Sequence, residues 1–167
     1  YVGNNYERWD QWAEYIATPA NLGLNTICYG NWLEPHPDRQ SPEEVKDIAP
    51  TIEFPGRLAQ HVVVQNLSKA DFTVHLAKPS YCETGFVTMR WAEAAAAGIV
   101  GLIPDEFNHV PEELWPLIVE NGEHVVEIHQ STIDNEWFDM VEAQQKWVEE
   151  NMKPENWLEL FWEVAHA

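Results

Sequence analysis

Positive charge is scarce in this chain. Nine Lys and Arg stand against 28 Asp and Glu in 167 residues, a formal net charge of -19. A surface that gripped a nucleic acid backbone would need clustered cations to displace counterions, so nucleic acid is not an expected partner of this chain. A small anionic ligand in a local pocket stays open. Cysteine is nearly absent: Cys28 and Cys82 make neither a disulfide framework nor a metal-type spacing, and a reducing, cytoplasmic setting is expected. No apolar run approaches the roughly 20 residues of a bilayer span, and there is no signal-peptide pattern, so no membrane partner is expected. Also missing are the G-x-G-x-x-G and G-x-x-x-x-G-K-[ST] phosphate motifs, an Asp-x-Asp pair, internal repeats and low-complexity stretches. The seven histidines are dispersed, which favours structural or surface roles over metal ligation.

What is present suits one packed domain. Hydrophobic residues make up 45% of the chain and include nine tryptophans, whose ordinary role is core or interface packing. Short apolar runs alternate with helical patterns, which predicts an α/β class. Tyr1-Val2-Gly3 reads as the end of a strand, with further chain expected before it. Trp9, Trp12, Ala13 and Ile16 predict a helix over about 8 to 17. Strands are expected at Leu24 to Tyr29, Thr51 to Phe54, Asp71 to Ala77 and Ile99 to Ile103. Ser41-Pro42-Glu43-Glu44 is a cap and first-turn pattern for a short helix, and a longer one is expected over Leu58 to Ala70. Lys78 to Thr84 reads as a loop, with Gly85 opening a helix. Pro111 with Glu112 and Glu113 starts another, and from Asp134 the pattern is helical, broken at Pro154. Trp137, Met140, Val141, Gln144 and Val148 share one side of the first of these terminal helices, and Trp157, Leu160, Phe161 and Val164 one stripe of the second.

In an open parallel sheet, ligands sit beyond the carboxyl ends of the strands. Four of the nine basic residues, Arg8, Arg57, Lys78 and Arg90, follow predicted strands or open the next helix. The stretch GFVTMRWAEAAAAG, residues 85 to 98, would use a helix N-terminus to attract an anion. Gly85 would admit a phosphate to the backbone, Thr84 and Thr88 would offer hydroxyls, and Arg90 a charge-assisted contact. Glu93, one turn deeper, can accept hydrogen bonds from paired sugar hydroxyls, and the alanines let the helix pack close to the sheet. Against this stands an ordinary i,i+3 ion pair between Arg90 and Glu93, worth only about 0.2 to 0.5 kcal/mol. Gly3-Asn4-Asn5-Tyr6-Glu7-Arg8 is similarly divided: it can hold a phosphate or sugar hydroxyl, or it is a capped turn of the kind asparagine favours.

The order YVGNNYER, a strand ending YGNW, FPGR, DFTVHLA, and then Thr88-x-Arg90-x-x-Glu93 with Gly98 five residues on resembles the carboxyl-terminal nucleotide-sugar domain of two-domain (B-type) glycosyltransferases. The branch it resembles is the CgeB-like, group 1 type, over about residues 1 to 130. The resemblance implies a Rossmann-like, doubly wound parallel sheet with C-terminal helices that pack back toward a second domain. It implies retaining transfer of a hexose or pentose from a UDP- or GDP-sugar donor without an obligate metal or other cofactor. Residue by residue, Arg8, Lys78 and Arg90 would neutralise the diphosphate, and Gly3, Asn4 and Asn5 would face the phosphates or donor sugar. Gly56 and Arg57 would lie near the base or phosphate, the stretch with Glu83, Thr84, Gly85, Phe86 and Thr88 would hold the diphosphate, and Glu93 the ribose. Many members carry a donor-sugar glutamate eight residues before the ribose glutamate, where this chain has Gly85. The amino-terminal domain that supplies the acceptor pocket would be a missing domain or partner chain. Two other readings stay open: an acidic, non-catalytic interaction module on a Rossmann-like scaffold, steered by its charge, and another nucleotide-binding α/β enzyme.

Overall fold

A computed structural model of the chain describes residues 1–85, 88–132 and 134–152. The predicted final helix and Phe86 lie outside these residues. Every strand pairing is parallel, and the strands form two short arrays. In one, β1 (Ile27–Tyr29) pairs with β2 (Glu53–Gly56), and residues 1–3 extend along its other side through a bridge between Val2 and Tyr29. In the other, β4 (Val100–Pro104) lies between β3 (Phe72–Val74) and β5 (Ile118–Val119). Val2 lines the same two recesses as Thr73 and Val74, so the arrays meet edge to edge where residues 1–3 face β3. Counting residues 1–3 as the first strand, the order is third, second, first, fourth, fifth, sixth. The reversal of winding falls between the first and fourth strands, where this topology opens a ligand crevice.

Local chemistry accounts for the connections. The first helix is continuous but changes pitch: α1 (Trp9–Trp12) passes through a π-helical stretch, Ala13–Ala17, into α2 (Thr18–Asn21). Pro19 has no N–H to continue an α ladder, and the Thr18 hydroxyl donates to the Ala13 carbonyl inside the widened turn. The predicted helix therefore runs about four residues further. Ser41 closes a complete capping box with Glu44 ahead of α3 (Pro42–Ile48), as its sequence predicts. The helix expected over Leu58 to Ala70 is cut down to a 3-10 turn, Gln60–Val62, followed by α4 (Val63–Leu67).

The largest correction concerns residues 78 to 90. Lys78 to Thr84 is not a loop: Lys78 caps α5 (Pro79–Thr84), with Pro79 in its first turn. Gly85 ends that helix in the left-handed region, φ 65°, and does not open the next one. A Cβ on it would stand 2.5 Å from the Asn108 carbonyl oxygen, so chain packing already demands glycine there. The next helix, α6 (Met89–Ala97), begins at the cap Thr88. Of the alanines in α6, Ala94 and Ala95 are buried against the core while Ala96 is exposed. Beyond β4, a 3-10 helix, Glu112–Leu117, leads to β5.

Two helices complete the described chain, α7 (Gly122–Ser131), which the sequence pattern did not mark, and α8 (Asp134–Asn151). Helix α8 is tied to this domain through Gln144, which is fully buried: its amide accepts from Gly101 N–H at 2.8 Å and donates to the Trp91 carbonyl at 3.1 Å. Trp91 in turn donates to the Gly101 carbonyl at 2.7 Å. A Cβ at Gly101 would meet the Trp91 indole at 2.7 Å, which explains a glycine inside β4. The core continues across the sheet, where Trp12 stacks between Trp9 and Trp32 with ring centroids 5.1 and 4.8 Å away. Tryptophan is not confined to the core, since Trp115 is 56% exposed.

Candidate functional site

At the carboxyl end of the switch point, a recess of about 20 Å3, room for about one water, is lined by Tyr1, Arg8, His75, Leu76, Arg90 and Trp91. Three separate elements bring these groups together: the turn after residues 1–3 carries Arg8, the end of β3 carries His75, and the first turn of α6 carries Arg90. The Arg8 Nε is buried and has no hydrogen-bond partner among the described residues. Burial pushes the Tyr1 phenol up to about 12, opposed by the positive charge of the Arg8 guanidinium. His75 is driven down to about 3, first by burial and then by the positive charge of Arg8. It is therefore neutral, and its Nε2 accepts from the Thr88 N–H at 3.4 Å. A buried donor without a partner, a second arginine and a neutral imidazole give this water-sized recess a lining suited to a single anionic or hydroxyl oxygen.

Beside it, Arg90 Nη1 donates to Glu93 Oε2 at 2.6 Å across one helical turn. Glu93 is buried although Arg90 is half-exposed, so this pair differs from a solvated surface bridge. Its second oxygen, Oε1, accepts from the side-chain amide of Gln60, whose own oxygen accepts from Arg90 Nη2 at 3.3 Å. Three residues thus form a closed ring.

The other sequence candidates are distributed as follows. Gly3 is fully engaged: its N–H donates to the Tyr29 carbonyl and its carbonyl accepts from Trp32 Nε1 at 2.7 Å. Asn4 and Asn5 both bond to Asn31, Asn4 Oδ1 accepting from the Asn31 N–H and the Asn5 N–H donating to Asn31 Oδ1 at 2.8 Å. Lys78 pairs with Glu7 at 3.2 Å, joining the cap of α5 to the first turn. Arg57 makes a two-pronged pair with Glu34 on the exposed rim, after Gly56, whose carbonyl accepts from Gly30 N–H. The Thr84 hydroxyl is spent inside α5 on the Ser80 and Tyr81 carbonyls, and the Glu83 carbonyl accepts from Asn108. The structure therefore gathers Arg8, Arg90, Glu93 and Thr88, and leaves Arg57, Glu83 and Thr84 with other partners.

No family model matches the chain, and neither does any curated protein. Solved structures do. A DNA-modifying β-glucosyltransferase, solved with and without uridine diphosphoglucose, superposes with a TM-score of 0.72 at 21% identity, covering 96% of this chain and 49% of its own length. T4 phage β-glucosyltransferase gives 0.69 at 18% identity over 99% of this chain and 48% of its own, and its complex with UDP and Mn2+ gives 0.67 at 20%, covering 99% and 46%. The chain shares with these glycosyltransferases a Rossmann-like α/β fold. This chain spans about half the length of these neighbours.

Sequence reading had passed over three members of the site. Tyr1 and His75 sit inside strand-like runs and signal nothing locally, and Gln60 lies 33 residues from the glutamate it touches. Among the described residues no three His, Cys, Asp or Glu stand close enough together to hold a metal ion, and no helix is long and apolar enough to cross a membrane. Cys28 and Cys82 are free and buried, with both thiols pushed up by burial.

Proposed function

We propose that this chain binds a nucleotide-sugar donor for glycosyl transfer and is the donor half of a two-domain, B-type, CgeB-like transferase. The observation that supports it most is the meeting of Arg8 and Arg90 at one recess, at the switch point of a fold whose solved counterparts include complexes with UDP-glucose. In a chain with nine basic residues, two sharing one recess is a concentration of positive charge. The diphosphate would lie against the Thr88 end of α6, with Arg8, Arg90 and Lys78 around it. As the glycosidic bond breaks, negative charge grows on the departing diphosphate, and fixed cations lower that barrier. Glu93 would accept hydrogen bonds from the ribose hydroxyls. The first turn from Gly3 to Asn5 would face the donor sugar, and Gly56 and Arg57 the base, with Glu83, Thr84, Gly85 and Phe86 completing the approach.

The transferred sugar is a hexose or pentose in this reading, with retained configuration, and the acceptor sits in the complementary domain or a partner chain. A net charge of -19 would leave a nucleic acid acceptor to that other half. Because the groups around the recess are cationic, donor binding should survive chelation of metal ions. Two free, buried cysteines accord with a cytoplasmic setting. Calorimetric titration with UDP, GDP and their sugar conjugates tests the proposal. Saturable binding of one nucleotide, weakened at least about tenfold in Arg90→Ala and Glu93→Ala, is the expected result. A folded chain that binds none of them would instead favour an acidic interaction module.

A further inference from the structure

We infer that Gln60 is a positioning residue of the donor site, which holds the Glu93 carboxylate in the orientation that selects a ribose diol. The inference rests on the donor-site reading above. Gln60 stands on an exposed 3-10 turn, and its primary amide makes two opposed bonds: its N–H2 donates to Glu93 Oε1 and its oxygen accepts from Arg90 Nη2 at 3.3 Å. A primary amide offers a donor and an acceptor side by side, which an ionised carboxylate or a guanidinium cannot. Arg90 alone touches Oε2 and leaves the carboxylate free to turn about its last bond. With Gln60 bonded to Oε1, the carboxylate plane is set from both sides. Each oxygen retains a second lone-pair direction, and two such directions side by side match the spacing of adjacent hydroxyls. Gln60 contributes nothing to the helix dipole and carries no charge, so its effect reaches the ligand through Glu93 and Arg90.

The consequence is a specific pattern of loss. Gln60→Ala should weaken UDP about tenfold while leaving 2′,3′-dideoxyuridine diphosphate, which has no diol, within about twofold of wild type. Gln60→Glu places a second carboxylate beside Glu93, so at pH 8 it should bind UDP more weakly than Gln60→Ala. Lowering the pH protonates one of the two acids, whose O–H then donates as the amide did, and affinity relative to wild type should recover. A merely structural residue would show neither the ligand dependence nor the pH-dependent rescue. Calorimetry on the full chain with both diphosphates, at pH 8 and pH 5.5, supplies the measurement, with thermal unfolding to confirm the fold. Equal loss for both ligands, no loss for either, or no recovery of Gln60→Glu at low pH would overturn the inference and leave the donor site standing. Failure of wild type to bind either UDP or GDP would remove both; if GDP is the diphosphate bound, it and its dideoxy form replace the uridine pair.

Discussion

Two loops face the switch point, and they are built on opposite plans. The first turn, Gly3 to Arg8, is occupied by its own architecture: Gly3, Asn4 and Asn5 are hydrogen-bonded to Tyr29, Trp32 and Asn31. Among the described residues, Arg8 Nε is the buried side-chain atom of this turn left without a partner. The start of α6 is the reverse. Thr88 caps it without a side-chain bond, and Arg90 and Glu93 bond to each other and to Gln60 rather than to the backbone of the fold. Polar residues at two strand-to-helix turns of one chain can thus be scaffold in one and available chemistry in the other. The kind of partner separates the two: each of those bonds of the first turn ties a backbone group of the scaffold, whereas the Arg90–Glu93–Gln60 ring is made of side chains alone, whose carboxylate oxygens keep further acceptor capacity.

Mutations should keep these plans apart. The strongest effect is expected at Gly30, which holds the base of the first turn at φ 144° with its Cβ direction 1.9 Å from the Gly3 carbonyl oxygen. Gly30→Ala should cost at least about 3 kcal/mol and shift denaturant unfolding accordingly; an unchanged midpoint would contradict the latch. Asn31→Ala removes the acceptor of the buried Asn5 N–H and should cost about 2 kcal/mol by the same measurement. Arg90→Ala belongs to the other plan. Its loss of stability should stay near 1 kcal/mol while donor affinity falls, and calorimetry beside a melting curve separates the two.

His75 adds a dependence on pH that crosses the comparison. Its pKa is depressed in the folded chain to about 3, from an ordinary value of 6.5, so the neutral form is favoured by folding. The stabilisation is fully present above pH 6.5 and is lost as pH falls from there toward 3, by up to about 1.4 kcal/mol per pH unit. His75→Asn should flatten that slope in denaturant titrations between pH 6 and 4, and an unaltered slope would mean that the ring is solvated. The smallest effect is expected at the rim, where Arg57→Ala breaks an exposed pair with Glu34 and should leave the melting temperature unchanged within error.

Much of the scaffold was readable because it is written in local chemistry. Ser41 with Glu44 announces a cap, alternating apolar runs announce parallel strands, and a tryptophan-rich stripe announces a buried face. Gly85 shows where local reading stops. A glycine before an alanine-rich stretch suits a phosphate-approaching helix start equally well as a left-handed helix end, and only the 2.5 Å approach to Asn108 decides between them. The site was half legible: Arg90 and Glu93 form a spacing, whereas Gln60 and His75 come from distant segments with no pattern of their own.

The amino-acid order alone therefore settled the α/β class, the sites of several caps and turns, and the strong acidity of the surface, all of which depend on neighbours within a few positions or on composition. Which cations meet, which asparagines are consumed within the turn, and which amide bonds Glu93 were decided by tertiary structure. Those facts depend on residues far apart in the chain: Asn5 and Asn31 are separated by 26 positions, Gln60 and Glu93 by 33, and Arg8 and Arg90 by more than either. Burial then sets whether a polar group is spent or free, and burial exists only once the sheet and its helices have closed on one another.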